Sequence, residues 1–278
     1  MRKGQPLVGI IGAGHMGSMM AERFLSSGVL EPGEIAVASR SRRGTDPLRE
    51  RWPDITVLPD NQSLARLCSV IFLCVRPPDI DTVLGEIAPA LSGNEHIVSI
   101  AAGIPLEHLE RRYTGPLSRA MPNATSETGR GITLVCYGRE VSRDAALRIE
   151  KLLSALGRVI EVSEENLPAA TVVSGCGPAL IAAIIDELAA AARRQSSLSS
   201  EEAAMLARET FIGTAVLLQK TDMSAASLVE RVATPGGITE VGISSLREDL
   251  PAAFDRMFER ARARDDALAA DRKSAPER

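Results

Sequence analysis

The chain has 278 residues, with Lys plus Arg 32 against Asp plus Glu 36 and a formal charge of −4. That mild acidity argues against bulk nucleic-acid binding, which shows as a basic surplus, and 45% hydrophobic with 24% charged residues argues against a disordered chain. Aromatics make up only 3%, so the core must be built from Ala, Val, Ile and Leu, and an antibody-like or propeller-like β fold is disfavoured.

Leu7 to Ile11 reads as a short apolar strand, and His15 to Ser27 as a helix that Gly28 stops. Strands follow at Ile35 to Ser39 and Ile55 to Leu58, then a short helix from Asn61 to Cys68 and a fully apolar strand from Val70 to Val75. Pro77 and Pro78 break the chain before a helix around Ile80 to Leu91, and His96 to Ala101 is the next strand. Leu117 to Met121, Ile132 to Tyr137 and Val159 to Val162 complete the set, with a helix near Ser142 to Leu156 between the last two. Apolar strands alternating with helices predict an α/β domain with a parallel sheet covered on both faces. After Ser163 strand signals vanish. The Ala-rich stretch Pro178 to Gln195 predicts a helix apolar on most faces, which needs neighbours in a bundle core or subunit interface. Ser200 with Glu201 and Glu202 starts another helix that runs to about Gln219, and Ser224 to Ala233 forms a shorter one. Pro235-Gly236-Gly237 is a hard break, and the last helix is expected to start near Pro251 and end in a charged, frayed tail. The expected division is residues 1–162 and an all-helical 163–278.

Cys68, Cys74, Cys136 and Cys176 form no C-x-x-C pair and read as buried thiols in a reducing compartment. His15, His96 and His108 are scattered without ligand spacing, so no metal is expected. Met1-Arg2-Lys3 ahead of an apolar run mimics a signal peptide, but the run holds three glycines and no convincing cleavage site. Asn166 to Ile185 is uncharged but interrupted by Gly175, Gly177 and Pro178. A cytoplasmic protein with no membrane or nucleic-acid partner is expected.

Gly12-Ala13-Gly14-His15-Met16-Gly17 fits G-x-G-x-x-G, directly after an apolar strand and at the opening of a helix. In that context Gly12 allows a tight turn, Gly14 lets a pyrophosphate approach the backbone, and Gly17 lets helix and strand pack closely. The helix start offers N–H groups and a positive dipole end to the phosphates. The first half therefore reads as a Rossmann-type dinucleotide-binding domain. The second strand ends in Ser39-Arg40-Ser41 rather than the carboxylate of an NAD site, and a guanidinium with hydroxyls suits the 2′-phosphate of NADPH, NADH being the other admissible donor.

General acids are few. The four lysines, Lys3, Lys151, Lys220 and Lys273, lie away from predicted strand ends and the domain junction, and each histidine has a structural reading. Ketone reduction needs a positioned acid. An imine arrives already protonated, so its site needs only orientation and electrostatics. Ala233-Thr234-Pro235-Gly236-Gly237-Ile238-Thr239, between two helical segments, combines glycine-freed backbone N–H groups with two hydroxyls and reads as a carboxylate cradle or as a plain turn.

Together these motifs resemble pyrroline-5-carboxylate reductases along almost the whole chain, in order: the loop at Gly12 to Gly17, Asn61, Val75-Arg76-Pro77, Ser99 to Pro105, Arg119 to Thr133, Ser174 to Ala179 and Ala233 to Thr239. The resemblance implies NAD(P)H-dependent reduction of 1-pyrroline-5-carboxylate to proline, the last step of proline synthesis, with the helical C-terminal domain interlocked with a second subunit in a homodimer or a multiple of dimers. It implies that the substrate lies between the two domains. Gly12, Gly14, His15, Met16 and Gly17 would hold the pyrophosphate, Ser39 and Arg40 the 2′-phosphate, and Asn61 the adenosine side. Val75, Arg76 and Pro77 would line the cofactor cleft, with Ala101, Ala102 and Gly103 near the nicotinamide. Met121, Pro122 and Asn123 would shape the reaction pocket. Thr234, Gly236 and Gly237 would bind the substrate carboxylate, and Thr239, the catalytic residue, would hydrogen-bond the ring nitrogen. Departures from the family pattern are Cys176 for Ser, Leu180 for Tyr, Thr234 for Ser and Ile238 for a small residue. Ile238 and Leu180 keep open a relative that reduces another small cyclic imino acid, and a non-catalytic NADPH-binding regulator is the alternative from another class.

Overall fold

A computed structural model describes residues 7–273. The expectations on Met1-Arg2-Lys3 and on the last residues of the charged tail, 274–278, lie outside the described residues. The described chain falls into two compact units, one running through Cys176 and the other Gly177–Ala263.

The first unit opens with β1 (Val8–Ile11), α1 (His15–Ser26), β2 (Ile35–Ala38), α2 (Arg42–Arg51), β3 (Thr56–Leu58) and α3 (Asn61–Ala65). It continues with β4 (Val70–Leu73), α4 (Ile80–Ile87), β5 (His96–Ser99), α5 (Leu106–Glu110) and β6 (Leu117–Met121). It ends with β7 (Gly131–Tyr137), α6 (Arg143–Leu153), β8 (Gly157–Glu161) and α7 (Leu167–Ser174). The strands form one sheet in the order β3-β2-β1-β4-β5-β6-β7-β8. Strands β1, β2, β4 and β5 are buried at every residue, which is why the first three read as unbroken apolar runs. Alternation along β1 sends Val8 and Ile10 to one face, where Phe24 and Phe72 meet at 5.5 Å, and Ile11 to the other, among Ile71, Leu73 and Ile97.

The expected all-parallel sheet needs one correction: β7 runs antiparallel to β6 and parallel to β8. The link between β6 and β7 is only residues 122–130, a 3₁₀ turn over Ala124–Thr128 closed by Gly129. A parallel return needs a crossover of roughly a dozen residues or more, so this chain folds straight back.

The second unit holds α8 (Gly177–Arg194), α9 (Ser200–Thr221), α10 (Ala225–Val232) and the greater part of α11 (Ile238–Lys273). α9 starts at Ser200, as expected, and is capped by Ser199 and Glu202 in a reciprocal capping box. Its core is small: Ala189, Ala203 and Ala207, with Ile185 and Leu198 against them. Ile181, Leu188, Leu206, Ile212, Val241 and Leu246 are all exposed in the single chain. Between α10 and α11, Val229, Ile243, Leu246, Leu250 and Phe254 border an apolar groove of about 370 Å³.

The last helix does not begin near Pro251; it begins at Ile238 and runs through Pro251. A proline withdraws one N–H and so releases one carbonyl, that of Arg247, itself an exposed residue. Among the described residues no single helix is long and apolar enough to cross a membrane; α7 and α8 pass only as a pair broken at residues 175–176.

Candidate active site

The phosphate loop follows β1, at the carboxyl end of the sheet where the strand order reverses between β1 and β4. Open α/β sheets take their ligands at such a switch point. Gly12 has φ +99°, and an added Cβ would lie 2.6 Å from the Cys74 carbonyl oxygen. A Cβ at Gly17 would run into the Gly12 carbonyl, so α1 packs on the loop only because residue 17 has no side chain. At Gly14 the added atom meets nothing within 4 Å, leaving open space before the loop. Gly14 is also the N-cap of α1 and supplies no side-chain cap, so the first-turn N–H groups need an outside acceptor. His15 is exposed, with Nε2 3.2 Å from Glu127 Oε1, and Met16 is half-buried. Gly14, His15, Arg23, Arg43, Gly44 and Glu127 border a cleft of about 510 Å³. A glycine-backed, uncapped helix start opening on a roomy cleft fits a dinucleotide pyrophosphate.

Arg42 and Arg43 open α2, whose N-cap Ser41 accepts from the Arg43 N–H at 3.2 Å. A Cβ at Gly44 would overlap the Ala13 carbonyl, so that glycine seats the start of α2 against the phosphate loop. Sequence reasoning missed Gly44 and this helix start. The available signal was Ser41, a favoured cap, ahead of a basic turn. Ser39 is half-buried just past β2, and the Arg40 side chain is 83% exposed. Arg40 Nη2 lies 3.4 Å from Asp79 Oδ2, and Arg76 Nε lies 3.1 Å from the same oxygen. Asp79, which the sequence reading also passed over, thus brings together Arg40 and the Val75-Arg76-Pro77 segment. Asn61 opens α3 and donates through Nδ2 to Glu86 Oε2 at 2.7 Å.

Past β5, Ala101 is buried and donates its N–H to Ser99 Oγ at 3.3 Å, Ala102 is exposed and Gly103 half-buried. Met121 ends β6, Pro122 is half-buried, and Asn123 is buried. Asn123 Nδ2 donates to the Ser174 carbonyl at 2.9 Å, and its Oδ1 accepts from the Thr125 hydroxyl at 2.8 Å. Its amide therefore fixes the end of β6 to the end of α7.

Thr234, Gly236, Gly237 and Thr239 belong to the second unit and form their own arrangement. Gly236 has φ +73°, which favours glycine, and its N–H donates to Glu240 Oε2 at 2.7 Å. The Gly237 N–H donates to the Thr234 carbonyl at 2.9 Å, and a Cβ at Gly237 would lie 2.6 Å from Thr234 Oγ1. Thr239 is exposed in the first turn of α11, and Ile238 before it is 95% exposed. The turn thus presents a helix start and two hydroxyls, with one internal carboxylate already on the Gly236 amide.

The remaining candidate acids have other work. His96 is buried against Ser118 Oγ at 2.7 Å, and burial, with Arg148 adding to it, holds it down at about 4. His108 Nε2 lies 2.8 Å from Asp81 Oδ1. Cys68 and Cys136 are buried and Cys74 half-buried, with burial pushing Cys68 and Cys74 up to about 12. Cys176, contrary to the expectation of buried thiols, is exposed.

A family model described as pyrroline-5-carboxylate reductase dimerisation matches residues 164–268, and one described as NADP oxidoreductase, coenzyme F420-dependent, matches residues 7–103. The chain is 36% identical over 254 residues to pyrroline-5-carboxylate reductase 3 of Bacillus subtilis (strain 168), covering 91% of this chain and 93% of that protein. It is similar in structure to a pyrroline-5-carboxylate reductase from Coxiella burnetii, with TM-score 0.89, 30% identity and coverage of 95% and 99%. The Plasmodium falciparum pyrroline carboxylate reductase with NADP bound matches with TM-score 0.81, 26% identity and coverage of 96% and 99%. With more than a third of its residues identical across nine-tenths of its length and a closely matching fold, this chain belongs to the pyrroline-5-carboxylate reductase family.

Proposed function

We propose that this chain reduces 1-pyrroline-5-carboxylate to L-proline with NADPH, as a cytoplasmic homodimer or a multiple of dimers. The observation that carries the reading is a family relationship running through 91% of the chain. In this reading residues 1–162 hold the dinucleotide, and 163–278 serve dimerisation and substrate binding.

Gly12, Gly14 and Gly17 set the backbone so that α1 presents its first-turn N–H groups, with His15 and Met16, to the pyrophosphate. Ser39 and Arg40 take the 2′-phosphate, Arg40 leaving Asp79 to do so, and Asn61 borders the adenosine. Val75, Arg76 and Pro77 line the cleft, and Ala101, Ala102 and Gly103 lie on the nicotinamide side. When bound, the reduced nicotinamide supplies a hydride to the ring carbon of the C=N bond.

The turn from Thr234 to Thr239 holds the substrate carboxylate with backbone N–H groups and the dipole of α11. The Thr239 hydroxyl accepts from the ring N–H of the iminium, keeping the ring oriented while its positive charge is lost. The proton arrives with the substrate, so no side-chain acid is required. That agrees with a neutral His96 in the core and a His108 engaged by Asp81.

The test is NADPH oxidation with 1-pyrroline-5-carboxylate, repeated with the six-membered homologue. Faster turnover of the five-membered ring supports the proline reading. Preference for the larger ring would favour the second reading, another cyclic imino acid, which the exposed Ile238 in the turn keeps in play. NADPH binding without turnover of either ring would point to the regulatory alternative.

A further inference from the structure

We propose that Glu164 is a positioning residue for hydride transfer, one carboxylate oxygen that holds both the loop on the nicotinamide side and the strand leading to Met121-Pro122-Asn123. The inference rests on the reductase reading above and adds a role for Glu164 and Arg119.

Glu164 Oε1 accepts from the Leu106 N–H at 2.7 Å and from Arg119 Nη1 at 2.8 Å. Leu106 is the first residue of α5, and Pro105 before it gives that helix no side-chain cap. The acceptor comes instead from a residue 58 positions along the chain. The segment from Ile100 to Pro105 is consequently tied at both ends. At its start the Ala101 N–H donates to Ser99 Oγ at 3.3 Å and the Ile100 N–H to the Leu73 carbonyl at 3.2 Å. At its far end Leu106 is fixed by Glu164. Between the ties Gly103 turns the backbone at φ +69°.

Arg119 lies in β6, in register with Ser99 on β5 and Cys136 on β7, two residues before Met121. It is 7% exposed, and its Nε finds no partner among the described residues. A buried guanidinium with one N–H already unmet cannot readily give up its carboxylate, because removing a partner strands an uncompensated charge. The pair is thereby a stiff strut, and the Leu106 amide is anchored to it. Hydride transfer depends on donor and acceptor carbons meeting within a narrow range of distance, so a loosened loop lowers the rate while leaving binding energy elsewhere intact.

The test compares wild type with Glu164→Ala, Glu164→Gln and Arg119→Lys as full-length proteins. It reads single-turnover NADPH oxidation with 1-pyrroline-5-carboxylate, the primary deuterium isotope effect on kcat using NADPH deuterated at the transferred position, and the NADPH Kd by fluorescence. Glu164→Ala is expected to lower the hydride-transfer rate about tenfold or more and to raise the isotope effect, with Kd changed by less than about threefold. Glu164→Gln keeps an oxygen for both donors and recovers most of the rate. Arg119→Lys keeps the charge, loosens the strut, and falls between. If Glu164→Ala does not fold, the Gln and Lys variants decide. A lower Tm in the folded variants with unchanged transfer rate and isotope effect would overturn the positioning role. A wild-type protein that transfers no hydride to any cyclic imino acid would overturn the reductase reading, and this role with it.

Discussion

The Asn123 side chain donates to the backbone carbonyl of Ser174 across 2.9 Å, joining the turn just past β6 to the last residue of a helix 51 positions later. Asn123→Asp replaces that donor with an acceptor in a buried place and faces a carboxylate to a carbonyl. A loss of about 3 kcal/mol is expected, since an unmet buried polar group costs about 1–3 kcal/mol and a charged one more. Urea unfolding checks it; an unchanged midpoint would show that Ser174 finds another donor.

Arg40→Ala is expected to raise the KM for NADPH about tenfold while changing that for NADH less than about twofold, because only the former carries the extra phosphate. The Asp79 carboxylate that now faces Arg40 at 3.4 Å is the group the phosphate must supplant. Steady-state rates with both cofactors decide. Equal effects on the two would remove the 2′-phosphate from Arg40.

Glu240 already occupies the Gly236 amide at 2.7 Å, so an incoming carboxylate competes with one belonging to the chain. Glu240→Gln weakens that hold and its like-charge repulsion. The KM for the imino acid is expected to fall about three- to tenfold with kcat nearly constant. A rise in KM would mean that the turn needs this carboxylate for its shape.

Stability should depend on pH through His96. Its folded value is depressed to about 4 from 6.5, so the unfolded chain binds the proton that the folded chain refuses. The contribution is complete above pH 6.5 and drains away as pH falls toward 4, amounting to about 2 kcal/mol between pH 7 and pH 5. Urea midpoints at the two pH values measure it, and His96→Asn is expected to flatten the slope. A slope unchanged in the variant would assign the effect to other groups.

What was legible in the sequence follows from burial. Strands β1, β2 and β4, covered on both faces, carry no polar side chain to blur them, and Gly12 and Gly17 of the phosphate loop are each required by a contact or a backbone angle. The helix Arg42–Arg51 was not legible, because only Thr45 and Leu48 are buried and Gly44 and Pro47 argue against a helix. Ile238–Lys273 was cut short in the reading because Pro251 looks like the first residue of a helix, whereas an exposed helix tolerates one missing bond. At the candidate site the motif marked where Asn123 stands. The partners of Asn123 and Glu164 are 51 and 58 residues away, a distance that local pattern does not carry.

The sparse alanine core of the second unit has a further consequence. With Ile181, Leu206 and Val241 left in water, this half of the chain gains little by folding alone. Heat resistance then becomes a collective property: each tenfold dilution of the protein should bring its thermal unfolding to a lower temperature, as mass action requires when burial is completed by a neighbour.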